Sequence, residues 1–216
     1  MTTTKEITGG IYLVLNPAIT KELLLKKLQE ALAGGVQVLQ IWNNWPSEYT
    51  LPDKQNLINQ IIHIAEEYAV PVLINEEWEL LQNTLLHGVH FDTIPASYES
   101  VKNKINRPFL AGITCGNNIS VVQWAQENSL DYLSFCAMFP SGSVDTCEIV
   151  NPEIVKKATE ITSMPIFISG GITPYNLSTL TDLHFAGVAV ISGILNALDP
   201  RAATAAYNQA LKNKNI

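Results

Sequence analysis

Short apolar runs recur along this chain, spaced so that a helix fits between most neighbours. They are IYLVL (11–15), VQVLQI (36–41), VPVLI (70–74), GVHF (88–91), FLAGI (109–113), DYLSF (131–135), MPIFIS (164–169) and GVAVI (187–191). Most lack polar alternation and are rich in β-branched or aromatic residues, the pattern of parallel strands buried on both faces. The intervening segments repeat at helical spacing. In 20–33, Leu24, Leu28, Ala31 and Leu32 share one stripe, with Thr20 as N-cap and Gly34 as stop. In 51–69, Leu57, Ile58, Ile61, Ile62 and Ala65 do the same; His63 falls in that apolar pattern and reads as structural, as does His184. Asn151-Pro152-Glu153 and Thr173-Pro174 each put a capping side chain before a proline, predicting two helix starts.

Eight such strands alternating with helices predict a (β/α)8 TIM barrel, an α/β fold, with residues 1–216 forming one domain. The alternative is an open, doubly wound sheet. No G-x-G-x-x-G follows the first strand, which weakens a dinucleotide-binding version.

Charge changes the picture next. Charged residues make up 15% of the chain and hydrophobic ones 47%, against about 25% charged in an ordinary domain. So few charges coat a surface thinly, and a homodimer or other homo-oligomer is expected. A net charge of −7 argues against nucleic acid and against anionic membranes as partners. No apolar run reaches membrane-spanning length, and MTTTKEITGG lacks the apolar core of a signal peptide. Cys115, Cys136 and Cys147 show no C-x-x-C spacing and read as reduced thiols of a cytoplasmic protein.

In a barrel, chemistry gathers just after each strand. There the chain offers Asn16, then Gln40 with Trp42 to Trp45, then Asn75-Glu76-Glu77, His90-Phe91-Asp92 and Thr114-Cys115-Gly116. After the long segment 136–149 come ISGGITPYN (168–176) and VISGI (190–194). Glycines in these last two stretches let backbone N–H groups approach an anion, so Gly170, Gly171, Ile191, Ser192 and Gly193 are the candidate phosphate site. The plainer reading is that Gly170 and Gly171 only shape a turn.

The stretches GGIYLVLNP, ALAGGVQVLQI, VPVLINEE, GVHF, LDYLSF, ISGGITPYN and AGVAVISGI carry a resemblance over nearly the whole chain. It resembles the thiamine-phosphate synthases and the related TenI-type thiazole tautomerases. The resemblance implies a phosphate-binding barrel that handles a phosphorylated thiazole. In the synthases a pyrimidine pyrophosphate joins that thiazole in a magnesium-dependent reaction releasing pyrophosphate.

Residue by residue, the resemblance makes Gln40, Trp42 and Asn44 the counterparts of the family's Q-x-R-x-K, with the glutamine kept and both cations lost. The N-D after strand three becomes Asn75-Glu76, and the family histidine after strand four is His90. The magnesium aspartate falls at Pro95, with Asp92 nearby. The strand-five serine is Thr114, and the tautomerases' acid–base histidine falls at Gly116. The T-x-T-K after strand six becomes Ser141-Gly142-Ser143-Val144, which keeps two hydroxyls and loses the lysine. The implied ligand contacts are therefore Gln40, Trp42, Asn44, Asn75, Thr114, Ser141 and Ser143. His90 and Glu76 are the candidate catalytic residues, and Glu76 with Asp92 the candidate Mg²⁺ ligands.

The losses share a theme: cations that would grip a leaving pyrophosphate are gone, while the monophosphate loops remain. Of 13 Lys and Arg residues, none directly follows a strand, and Lys54 is the nearest. Each lost electrostatic contact of this kind costs about 3–4 kcal/mol, so the usual condensation is expected to be impaired or altered. Trp42 and Trp45 either fill the vacated space or stack on a flat ligand; filling suits Trp45 and ligand contact suits Trp42. Cys115 and Cys136 end adjacent strands at the mouth, with no cation to activate a thiol. Three functions stay open: an altered enzyme of thiamine metabolism, a non-catalytic sensor of thiamine phosphate, or another phosphate-binding barrel enzyme. A Schiff-base aldolase is disfavoured because no strand supplies a lysine.

Overall fold

The computed structural model describes residues 5–140 and 148–214. Eight parallel strands close into a barrel in sequence order: β1 (Gly10–Leu15), β2 (Val38–Ile41), β3 (Val72–Asn75), β4 (Gly88–Phe91), β5 (Leu110–Thr114), β6 (Tyr132–Phe135), β7 (Ile166–Ser169) and β8 (Gly187–Val190). β8 returns to β1 with Ile11 opposite Val188, so the sheet has no free edge. Around it lie α1 (Lys21–Ala33), α2 (Leu51–Glu66), α3 (Tyr98–Ile105), α4 (Ile119–Glu127), α5 (Pro152–Ile161), α6 (Ser192–Leu195) and α7 (Pro200–Lys214). Two 3₁₀ segments, Trp78–Gln82 and Asn176–Leu180, occupy the connections after β3 and β7.

Alternate strand residues divide between two cores. One set, including Leu13, Leu39, Ile74, Ile113 and Leu133, packs against helix residues such as Leu24, Leu28, Leu57 and Ile61. The other set fills the barrel itself with Tyr12, Val38, Leu73, Tyr132 and Phe167, closed from one end by Ile7. Tyr12, Tyr132 and Phe167 meet edge to face, with centroids 5.3–5.7 Å apart. Room for Tyr132 comes from Gly112 on the neighbouring strand, where a Cβ would sit 2.1 Å from the Tyr132 ring.

The predicted stripes of the first two helices are buried as expected. Their starts differ in mechanism. Thr20 precedes α1 but makes no side-chain capping bond. α2 is held instead by a capping box, in which Thr50 and Asp53 each satisfy the other's backbone N–H. It ends at Glu66, where Tyr68 and Ala69 already turn back onto the last carbonyls. Asn151 caps α5 through Glu153 N–H as expected. Thr173 also caps, bonding reciprocally with Asn176, but the chain between them opens a 3₁₀ segment and not an α-helix. His63 and His184 are both exposed, so His63 lies off the buried stripe that the apolar pattern of α2 suggested for it.

His87 is the histidine that matters for the strands. Its Nδ1 accepts the Val72 N–H at 3.1 Å, joining the start of β3 to the approach of β4. Burial, reinforced by the charges of Lys5 and Arg107, lowers its pKa to about 4. Unfolding releases the ring to its ordinary 6.5, so the unfolded chain binds the extra proton between those values.

Two outcomes follow from this packing. Gly112→Ala should lower stability by about 1–3 kcal/mol through overpacking against Tyr132, read as a shift in urea midpoint. The contribution of His87 to stability should be full above pH 6.5 and be lost as pH drops toward 4. One proton contributes at most ~1.4 kcal/mol per pH unit, less here because the ring is half-exposed. His87→Asn keeps an acceptor for Val72 without the titration, so its urea midpoint should change less between pH 7 and pH 5 than that of the parent.

Candidate functional site

The floor of the mouth is a continuous set of buried polar groups. Tyr12 Oη donates to Gln40 Oε1 at 2.6 Å, and the Tyr12 and Tyr132 hydroxyls lie 2.8 Å apart. Tyr132 Oη is 2.8 Å from His90 Nδ1, and His90 Nε2 is 2.9 Å from Thr114 Oγ1. These five residues come from β1, β2, β6, β4 and β5, so the set crosses the barrel. His90 stacks on Tyr132 at a centroid distance of 5.6 Å. Burial drives its pKa down to about 4, which leaves the imidazole neutral near pH 7. Burial likewise pushes the Tyr12 and Tyr132 hydroxyls upward, so both stay protonated.

Beside this floor stands a carboxylate wall. Asn75, buried at the end of β3, donates from Nδ2 to Asp92 Oδ1 at 3.0 Å. Glu76 follows in a left-handed conformation (φ 59°), and its carboxylate accepts the Asp92 N–H. That φ is uncommon outside glycine, and it turns the Glu76 side chain toward the end of β4. Loss of water raises the pKa of both acids, and for Glu76 the charge of Asp92 adds to the effect. Asp92 is exposed as a residue, but its carboxylate is turned in against Asn75. Among the described residues no three His, Cys, Asp or Glu side chains gather as a metal cluster.

The third feature was not visible in the strand pattern. Glu77 Oε1 accepts from Lys54 Nζ at 2.5 Å, and Glu77 Oε2 accepts from Trp45 Nε1 at 2.5 Å. The Lys54 ammonium also lies 5.1 Å from the Trp45 ring centroid. Lysine, glutamate and tryptophan thus close a triangle that ties the loop after β2 to the loop after β3. Trp45 also packs on the outer core and against Tyr49, consistent with a filling role. Trp42 is half-buried and anchored through its backbone N–H to Leu15 O at 2.9 Å. Asn44 is exposed and donates to Asn16 Oδ1 at 3.0 Å.

Opposite lie the glycine loops. Gly170 and Gly171 both adopt left-handed conformations, φ 80° and 64°. A Cβ on Gly170 would stand 2.3 Å from the Ala137 Cβ, and one on Gly171 2.6 Å from the Pro140 carbonyl oxygen. The turn after β7 is therefore pressed against segment 137–140, with Met138 N–H bonded to Ser169 O at 2.8 Å. Ile191 is half-buried, and Ser192 and Gly193 open the short α6 directly after β8.

Gln40, Asn75, His90 and Thr114 thus come together on the floor, with Glu76 and Asp92 beside them. Ser141 and Ser143 lie outside the described residues, as does Cys147. Cys115 does not face the mouth: it is buried in the core between sheet and helices, and burial raises its pKa to about 12. Sequence reasoning missed Tyr12, Tyr132 and the Lys54–Glu77 pair. The available signal was strand parity, because Tyr12 and Tyr132 are hydroxyl-bearing residues at inward positions of otherwise apolar strands.

Comparison with known proteins identifies the family. Residues 11–194 match the family model described as thiamine monophosphate synthase. The thiamine-phosphate synthase of Geobacillus kaustophilus is 30% identical over 205 residues, covering 94% of this chain and 92% of that protein. The enzyme of the same name from Methanobrevibacter smithii is 29% identical, covering 95% and 97%. In three dimensions the barrel superposes on a thiamine phosphate pyrophosphorylase from Pyrococcus furiosus with a TM-score of 0.81. That pair shares 20% identity and covers 95% of this chain and 96% of the other. With the family model spanning residues 11–194, most of its length, this chain belongs to the thiamine monophosphate synthase family.

Proposed function

We propose that this protein binds a phosphorylated thiazole, or a thiamine-phosphate-like ligand, in the barrel mouth, and that its pyrophosphate-releasing condensation is impaired or altered. The observation that carries this reading is the state of Lys54. It is the cation paired with Glu77, two residues past the end of β3, and at 2.5 Å its charge is already matched there. Glu76 and Asp92 stand nearby, so a departing pyrophosphate there meets more negative than positive charge.

The monophosphate end has different requirements. The turn at Gly170 and Gly171, together with Ile191, Ser192 and Gly193, supports binding through backbone N–H groups, which needs no side-chain cation. Gln40, Asn75 and Thr114 would orient the ring system by hydrogen bonds, and Trp42 would offer a flat apolar face. His90, neutral and held at both nitrogens, acts on this reading by positioning Thr114 rather than by shuttling protons.

Glu76 and Asp92 fit Mg²⁺ in the mode that uses one or two protein carboxylates and completes the shell with water and phosphate oxygens. Both are oxygen donors in one place, and a cation would relieve the burial that raises their pKa. When bound, the ion would supply positive charge to phosphate oxygens. The sparse surface charge supports a homo-oligomer, and the absence of long apolar helices among the described residues fits a cytoplasmic setting.

The test is pyrophosphate release from thiazole phosphate and pyrimidine pyrophosphate with Mg²⁺, run beside a family member that carries both cations after its second strand. Release should be slower by at least about 10³-fold, since one such contact contributes about 10²–10³. Restoring charge with Trp42→Arg/Asn44→Lys should raise the rate by about tenfold or more. Release by this protein equal to that of the comparison enzyme would end the proposal.

A further inference from the structure

The floor of the mouth has a property that no single residue in it has. Each of its four hydrogen bonds carries one proton, and the donor in one bond decides the donor in the next. Tyr12 gives its hydroxyl proton to Gln40 Oε1. It can therefore meet Tyr132 only as an acceptor, so Tyr132 gives its proton to Tyr12. Tyr132 must then accept from His90, which requires hydrogen on Nδ1. The ring meets Tyr12, Tyr132 and Thr114, none of them charged, so a buried imidazolium is disfavoured and Nε2 is bare. A bare Nε2 accepts from the Thr114 hydroxyl.

We propose that Gln40, Tyr12, Tyr132, His90 and Thr114 form one polarised relay that fixes what the mouth offers a ligand at two separated points. At the β2 end, Gln40 has its oxygen engaged and presents its amide N–H groups, a donor face. At the β5 end, Thr114 has its proton engaged and presents oxygen lone pairs, an acceptor face. The site therefore selects a ligand with an acceptor (a ring nitrogen, carbonyl or hydroxyl oxygen) over Gln40 and a donor (an amino or hydroxyl group) over Thr114. A ligand with the opposite pattern must flip the Gln40 amide and reverse all four internal bonds together. Selectivity at one strand is thus coupled to selectivity three strands away, with Tyr12, Tyr132 and His90 as positioning residues. The inference goes beyond the proposed reaction and holds whichever phosphorylated ligand occupies the mouth.

The experiment needs no ligand and no turnover. Long-range ¹H–¹⁵N spectra of the uniformly labelled protein at neutral pH report which ring nitrogen of each histidine is protonated, with His90 assigned by its loss in His90→Gln. The relay requires His90 to carry hydrogen on Nδ1 and a bare Nε2. Tyr132→Phe removes the acceptor, so the two His90 resonances should exchange character, with hydrogen moving to Nε2. Gln40→Glu keeps an acceptor for Tyr12 and should leave the parent pattern in place. Hydrogen on Nε2 in the parent protein would overturn the relay whatever the variants do. So would an unchanged Nδ1–H pattern in folded Tyr132→Phe. If Tyr132→Phe does not fold, Tyr12→Phe serves: freeing Tyr132 from its fixed direction should lower the Nδ1–H population, and no change would count as refutation.

Discussion

A hydroxyl group inside a closed barrel has no water to fall back on, and the interior of this protein is organised around that requirement. Tyr12 and Tyr132 fill the barrel with ring surface yet carry polar ends that must be paired at a cost of about 1–3 kcal/mol if they are not. Their partners, Gln40 and His90, form the floor of the mouth together with Thr114, which meets the other nitrogen of His90. Among the described residues no buried side-chain nitrogen or oxygen lacks a hydrogen bond. The same two rings fix the packing beneath, since Gly112 has no side chain where Tyr132 lies. Fold and site thus share residues, and a change at Tyr132 reaches both.

Above this floor the electrostatics are uneven. The wall formed by Glu76, Glu77 and Asp92 is acidic, and Lys54 beside it is bound to Glu77 and covers Trp45. The glycine loops across the mouth depend on backbone geometry, with left-handed residues at 170 and 171. A ligand with one phosphate at the loops and a neutral ring on the floor fits this division of charge. On the proposed reading, a second, pyrophosphate-bearing partner would bring its own counter-ion or find one at Glu76 and Asp92.

The architecture was legible in the sequence because buried parallel strands leave uninterrupted apolar runs, and all eight runs became strands within two residues of their predicted limits. Ends set by local chemistry were less readable: Thr20 and Thr173 look alike as caps, but one makes no capping bond and the other opens a 3₁₀ segment. Within the site, Gln40, Asn75, His90 and Thr114 could be placed because they end strands. The relay could not, since Tyr12 and His90 are 78 positions apart and become neighbours only when β1 and β4 share an interior. The pairing of Lys54 with Glu77 was hidden for a related reason. Lys54 follows its strand by 13 positions, and only the course of the loop after β2 returns it to the mouth.

The central claim is that the mouth keeps a site for one phosphate and has lost its grip on a pyrophosphate. Titration calorimetry with thiazole phosphate and with pyrimidine pyrophosphate, each alone and with Mg²⁺ present, separates the two halves directly. The thiazole phosphate should bind, and the pyrimidine pyrophosphate should bind at least about 100-fold more weakly, the equivalent of roughly 2.8 kcal/mol. Equal affinity for the two, or tighter binding of the pyrophosphate, would contradict the claim.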